Sequence, residues 1–168
     1  MDMDNTKNKG GHEKIINSFM KEEADILVGT QMVAKGLDFP KVSLVGILNS
    51  DLALKYPSYT SPATAYNLFV QVAGRAGRHA TDGMVILQAY DTNHYSLINA
   101  SSGSYKRFYE QELNFRKLAS YPPVKKIIEI TVVGKEYDNT FTEASKIVNF
   151  IKEKSNSLVL GPAEDYIV

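Results

Sequence analysis

The 168 residues carry 19 Lys and Arg against 19 Asp and Glu, so net charge points to no polyanion or membrane, and any basic surface must be local. Cysteine is absent, which excludes disulfides, thiol catalysis and thiolate zinc sites. With 43% hydrophobic and 23% charged residues, the composition suits one globular domain, or one with part of a second attached. The polar start MDMDNTKNKGGHEK lacks the apolar stretch of a signal peptide, and the apolar runs are too short to span a bilayer. A soluble, cytoplasmic chain is expected.

In chain order, GGHEKIINSFMKEE sets Ile15, Ile16, Phe19 and Met20 at helical spacing, an amphipathic helix of about three turns. ADILVGT follows, where Ile26, Leu27 and Val28 form the short continuous apolar run of a strand buried on both faces. KVSLVGILNSD (residues 41–51) and GMVILQAY (83–90) are two more strands of that kind. Between them, Ser61-Pro62 gives a helix start, with Ser as N-cap and Pro at the first helical position. Tyr66, Phe69, Val70 and Ala73 recur on one face, and Gly74 ends the helix. Helices alternating with buried strands imply an α/β fold with a parallel sheet of βαβ units.

After Tyr90, NHYSLINASS and SYKRFYEQELNFRKLAS read as two helices. The second sets Tyr105, Phe108 and Tyr109 for packing onto the preceding layer. Tyr121-Pro122-Pro123 stops the helical pattern and marks a boundary. KIIEITVVGK is then expected as a strand, with Ile128, Ile130 and Val132 on one face. NTFTEASKIVNFIKEKS is an amphipathic helix, and LVLGP opens a further strand before the sequence stops at AEDYIV. The expected division is residues 1–120 as one domain and 121–168 as the truncated start of a second, small α/β domain. An incomplete sheet there would leave an unpaired edge and invite self-association.

Two stretches carry chemistry. QVAGRAGR (71–78) places Arg75 and Arg78 each after a glycine, just past a helix. Glycine permits a sharp turn and close approach. Arginine keeps its charge and offers a planar fork that matches phosphate oxygens. A solvated turn is the alternative reading of the same residues. GTQMVAKGLDFP (29–40) leaves an expected strand at Thr30, at the carboxyl edge where open α/β sheets bind ligands. Thr30 offers a hydroxyl and an N–H to a phosphate, and Gly36 with Asp38 forms a turn whose carboxylate suits an arginine or a ribose hydroxyl. A plain connecting loop is the alternative here. Lys35, with Lys7, Lys9 and Lys14, is suited to phosphate contact or to ordinary solvation. Tyr56 and Tyr59, in a loop, suit base stacking or a plain surface role. His12, His79 and His94 lack metal spacing, and surface or capping roles are expected.

Together and in this order, the two stretches resemble motif V (GTQMVAKGLDFP) and motif VI (QVAGRAGR) of superfamily 2 helicases. With MDMDNT, VSLVGILNSD and RKLASYPP, the resemblance runs in collinear order over nearly the whole chain to the PriA family of replication-restart helicases. The resemblance implies that residues 1–120 are the second RecA-like lobe of the motor, a parallel sheet flanked by helices. It implies Arg78 as an arginine finger, Arg75 as its partner at the nucleotide, and Gln71 as the residue that helps position both. Gly36, Asp38 and Gly74 are implied at the nucleotide cleft, and Thr30, Gln31 and Lys35 at DNA. The family pattern close to PDFRASER becomes Pro57-Ser58-Tyr59-Thr60-Ser61-Pro62-Ala63-Thr64 here, so Thr60, Ala63 and Thr64 stand where two arginines and a glutamate are usual.

The Walker A pattern GxxxxGK[ST] is missing from the sequence, as is an Asp-Glu box after an apolar strand. The resemblance therefore implies a fragment that works with a first lobe of the same protein, which would bind most of the ATP and Mg2+; alone it would be inactive. Implied partners are single-stranded and forked DNA, other primosome proteins and single-strand-binding protein, with no membrane. The family's zinc-binding cysteines have no counterpart. The rival readings are the same lobe of a RecG-like translocase and a non-catalytic DNA- or partner-binding module.

Overall fold

Parallel pairing of two strands requires a crossover, and that requirement organises the first half of the chain. The computed structural model describes residues 11–30, 39, 41–76 and 83–164. The chain divides into two compact units, Met1–Lys125 and Lys126–Val168. In the first unit α1 spans Gly11–Met20, β1 Leu44–Ile47, α2 Asp51–Leu54, α3 Ser61–Ala73, β2 Met84–Leu87, α4 Tyr95–Ser101 and α5 Tyr105–Leu118. The second unit contains α6, Tyr137–Lys154.

β1 and β2 pair in parallel, with Val45 opposite Val85 and Ile47 opposite Leu87. The expected βαβ order is present, with α3 lying in the connection from the end of β1 to the start of β2. Burial on both faces is not. Both strands alternate, with Val45, Ile47, Val85 and Leu87 half-buried, whereas Leu44, Gly46, Met84 and Ile86 are exposed. Only the face that carries Ile47 and Leu87 packs against the helical core. The strand expected at Ile26–Val28 is likewise corrected: residues 24–29 lie outside the described sheet, and Ile26 and Val28 are exposed. An apolar run becomes a buried strand only where a ladder and a covering layer meet it.

α3 forms where its apolar residues recur, but its inward face is rotated from the expected one. Ala65, Tyr66, Phe69 and Val72 are buried; Val70 lies outside at 40% exposure and Ala73 is half-buried. The cap also shifts by one residue. Thr60 is the N-cap and Ser61 lies in the first turn, its hydroxyl donating to the Tyr56 carbonyl at 2.6 Å. Pro62 still fits, because N–H groups in a first turn have no intrahelical acceptor. Gly74 closes the helix as expected.

The core lies where α3 meets α4 and α5. Phe69 and Ala65 are fully enclosed, joined by Leu97, Ala100 and Phe108. Tyr66 stacks on Phe108 with centroids 4.0 Å apart and planes 9° apart. Phe108 thus packs α5 as expected, whereas Tyr105 and Tyr109 remain more than half exposed.

In the second unit the expected strand over KIIEITVVGK has no strand structure or ladder among the described residues, with Ile128 and Val133 exposed. Leu158 and Leu160 of LVLGP are also exposed, without strand structure. Residues of alternating apolarity gain a strand's hydrogen bonds only beside a partner strand. α6 forms as expected but has no buried residue. Its N-cap Glu136 accepts from Asn139 Nδ2 at 2.7 Å. Gly134 approaches the first turn so closely that a Cβ would fall 2.0 Å from Thr140 Oγ1.

Phe69→Ala should therefore lower the unfolding free energy of the first unit by about 3–5 kcal/mol, through lost burial plus a cavity. Urea unfolding followed by far-ultraviolet circular dichroism measures it; a loss under about 1 kcal/mol would move the core elsewhere.

Candidate functional site

The last turn of α3 presents the first residues of QVAGRAGR. Gln71 is exposed there, and Gly74 and Arg75 follow at the cap. Backbone N–H groups of Gly74 and Arg75 donate to Val70 and Val72 carbonyls at 3.0 Å each, and Ala76 N–H to Ala73 at 3.3 Å. The chain thus tightens as it leaves the helix. Arg75 is half-buried, with its Nε screened from solvent. A cation at a helix C-terminus meets the negative end of the helix dipole, which favours this placement. Gly74 has φ −67°, and a Cβ there would meet only ordinary contacts at 3.5 and 3.7 Å. The expectation that glycine is needed for a sharp turn is therefore corrected at Gly74. Arg78 lies outside the described residues.

Of the other expected site residues, Thr30 is exposed in a bend after residues 24–29. Its expected place at the end of a sheet strand falls with the correction of that strand. Gln31, Lys35, Gly36 and Asp38 lie outside the described residues, so α3 brings together Gln71, Gly74 and Arg75 alone from the expected set.

At the carboxyl edge of the sheet a carboxylate does work that the pattern of apolar residues does not reveal. Asp51, buried at the start of α2, accepts from the backbone N–H of Tyr90 at 2.9 Å and of Asp91 at 3.3 Å. Ser50 N–H donates to the Gln88 carbonyl at 3.0 Å, continuing the β1–β2 ladder past both strands. Hydrogen bonds from Tyr90 first, opposed by burial, hold the Asp51 carboxyl below its usual range. Ser50 Oγ is buried with no hydrogen-bond partner among the described residues.

A second polar cluster ties α4 and α5 together. Glu112 is buried in α5; its Oε2 accepts from the Tyr95 hydroxyl at 2.5 Å and its Oε1 from Arg116 Nε at 2.7 Å. Burial, then the hydrogen bond to Glu112, pushes the Tyr95 hydroxyl well above its usual value. Arg116 also donates from Nη1 to the Pro122 carbonyl at 3.0 Å and lies 5.4 Å from the Tyr59 ring centroid. Tyr59 stacks on Tyr121 at 5.3 Å. Of its two expected readings, Tyr59 is thus engaged within the protein, while Tyr56 is exposed. His94 takes a capping role: it is the N-cap of α4, its Nδ1 accepting from Ser96 N–H at 3.2 Å. Sequence alone offered one signal for this cluster, the Glu112/Arg116 spacing of four along a helix.

Residues 2–80 match the family described as helicase conserved C-terminal domain. A helicase C-terminal domain with mixed helices and strands and a small parallel sheet is thus the class defined by fold and sequence together. Over most of its length the chain is similar to replication restart protein PriA. Identity is 43% over 165 residues with PriA of Bacillus subtilis, covering 97% of this chain and 20% of that protein. It is 38% over 157 residues with PriA of Chlamydia pneumoniae, 94% and 21% of the two chains. With PriA of Borreliella burgdorferi it is 37% over 155 residues, 89% and 23%. The chain spans about a fifth of the length of these curated relatives. Among the described residues no helix is long and apolar enough to cross a membrane.

Two pH effects follow from this geometry. The folded pKa of Asp51 is depressed, so its contribution to stability is present above the usual 3.8 and is lost as pH falls through the lower folded value. The stability gap between wild type and Asp51→Asn should therefore shrink on acidification below pH 3.8; a gap that stays constant in urea titrations would remove the clamp. Burial lowers the folded pKa of His94, with Asp91 and Glu112 opposing, and its capping nitrogen must be unprotonated. Protons then bind the unfolded chain first, and stability should fall as pH drops below the usual 6.5. His94→Asn keeps a capping acceptor without titrating, and should flatten that dependence in the same assay.

Proposed function

We infer that this chain is the second, RecA-like lobe of an ATP-dependent DNA helicase that acts in replication restart. Residues 1–120 form the lobe with its linking helices, and residues 121–168 begin the C-terminal α/β domain. The observation that carries this reading is the placement of Gln71, Gly74 and Arg75 on the exit turn of α3, at the head of a motif VI sequence inside the helicase C-terminal match. Relatives named replication restart protein PriA support this reading over a RecG-like translocase or a non-catalytic module.

ATP supplies a γ-phosphate whose transfer to water builds negative charge that a cation can stabilise. The residues present fit one side of such a group. Arg75 is a permanent cation at a helix end, and Gln71 beside it is exposed and able to orient a polar neighbour. Walker A is not in the sequence, and among the described residues no cluster of His, Asp and Glu is suited to a metal ion. The phosphate cradle and the ligands of Mg2+ therefore belong to the first lobe in this reading. Arg78 acts as the arginine finger, with Arg75 as its partner and Gly36 and Asp38 lining the cleft. Thr30, Gln31 and Lys35 hold phosphates of single-stranded DNA. Because motif V reaches both DNA and the cleft, opening and closing of the lobes shifts this lobe along the strand. The site of action is the cytoplasm, with forked DNA, single-strand-binding protein and other primosome proteins as partners.

Arg78→Ala in the full-length parent protein should reduce ATP hydrolysis on single-stranded DNA by roughly a hundredfold or more, with nucleotide binding retained. Steady-state hydrolysis and fluorescent-nucleotide titration measure the two parts. Unchanged turnover would make QVAGRAGR structural and return the binding-module reading.

A further inference from the structure

α3 is tied to neighbouring elements at its entry. Its exit turn carries Gln71, Gly74 and Arg75. Its entry is tied twice to the helices that follow β2. Ser96 Oγ of α4 donates to the Pro62 carbonyl at 3.0 Å, and the Arg116 guanidinium of α5 lies over Tyr59, one residue before the N-cap Thr60. The loop carrying Tyr59 is itself braced to α3: Ser58 and Thr60 hydroxyls lie 2.8 Å apart, and Ser61 Oγ donates to the Tyr56 carbonyl.

The Arg116 guanidinium meets three groups from three segments. Its Nε bonds Glu112 on its own helix, and its Nη1 bonds the Pro122 carbonyl beyond that helix. Its plane covers Tyr59, which stacks in turn on Tyr121. The turn that delivers Tyr121 and Pro122 is well defined. Ser120 has φ 58°, and the N–H groups of Ser120 and Tyr121 donate back to Lys117 and Arg116 carbonyls at 3.3 and 2.8 Å. That is the Schellman pattern of a helix end. Arg116 is only 16% exposed, so water screens these contacts weakly. Residues 121–125 are the last of the first unit, and the second unit follows at Lys126.

We propose that Arg116 is a positioning residue that couples the arginine-bearing helix α3 to residues 121–125, the segment from which the second unit departs. A shift of α3 on nucleotide closure moves Tyr59, and the guanidinium passes that shift to Tyr121 and Pro122. The inference rests on the helicase reading. Arginine is required because its planar fork bonds Glu112 and Pro122 while its face covers a ring, and lysine offers a single point charge that cannot do all three.

The test uses the full-length parent protein with Arg116→Lys and Arg116→Ala, measuring melting temperature, DNA-stimulated ATP hydrolysis and base pairs unwound per ATP. Arg116→Lys should melt within about 2 °C of wild type. It should keep kcat and KM for ATP within about twofold. Unwinding per ATP should fall about fivefold, and at least as far in Arg116→Ala, a coupling loss of the size expected from one contact in a network. Unwinding per ATP that is retained in both variants overturns the proposal. So does a loss of hydrolysis and unwinding in equal proportion to a fall in melting temperature, which marks a purely structural residue. The two possible failures are separable. A wild type that hydrolyses no ATP on DNA removes the helicase reading, whereas a competent wild type with an equally competent Arg116→Lys removes only the coupling.

Discussion

The stack of Tyr66 on Phe108 is the contact on which the first unit depends. It joins α3, the crossover of the parallel pair, to α5, which arrives about forty residues later in the chain, and it closes over Phe69 and Ala65. Long-range apolar contact of this kind must offset the entropy of ordering the intervening chain. Large rings suit the task because each buries a wide surface with few rotors. With that contact made, α4 is trapped between the two helices, and its Leu97 and Ala100 complete the core.

The polar ties follow the same geometry and refine it. Asp51 joins the ends of the two strands through Tyr90 and Asp91. Glu112 and Arg116 join α4, α5 and the turn beyond. Buried charges of this sort contribute through fully made hydrogen bonds, and losing one partner leaves the other stranded. α3, tied at its entry to α4 and α5, carries Gln71, Gly74 and Arg75 at its other end.

Much of the first unit was legible in order. The helix over 61–73, its stop at Gly74, the two helices between His94 and Leu118 and the parallel character of the sheet follow from apolar spacing and from Pro and Gly signals. The pair of stretches with helicase character was legible too, because permanent cations beside glycines are a chemical pattern before they are a shape. Less legible was which apolar face turns inward. In α3 Val70 points out and Ala65 points in, a rotation of one position that periodicity does not resolve.

By itself the sequence determined the longer helices, the alternation that makes a parallel pair, the lack of thiol chemistry and the arginine pattern, since each of these depends on residues close together in the chain. Only the tertiary structure decided that Ile26–Val28 and the KIIEITVVGK segment do not join the described sheet, because a strand exists through hydrogen bonds to a neighbour that its own residues do not specify. It also decided that Asp51 clamps residues 90 and 91, and that Arg116 lies over Tyr59. Those contacts join residues about forty to sixty positions apart, and chain folding rather than local spacing brings such groups within hydrogen-bonding reach.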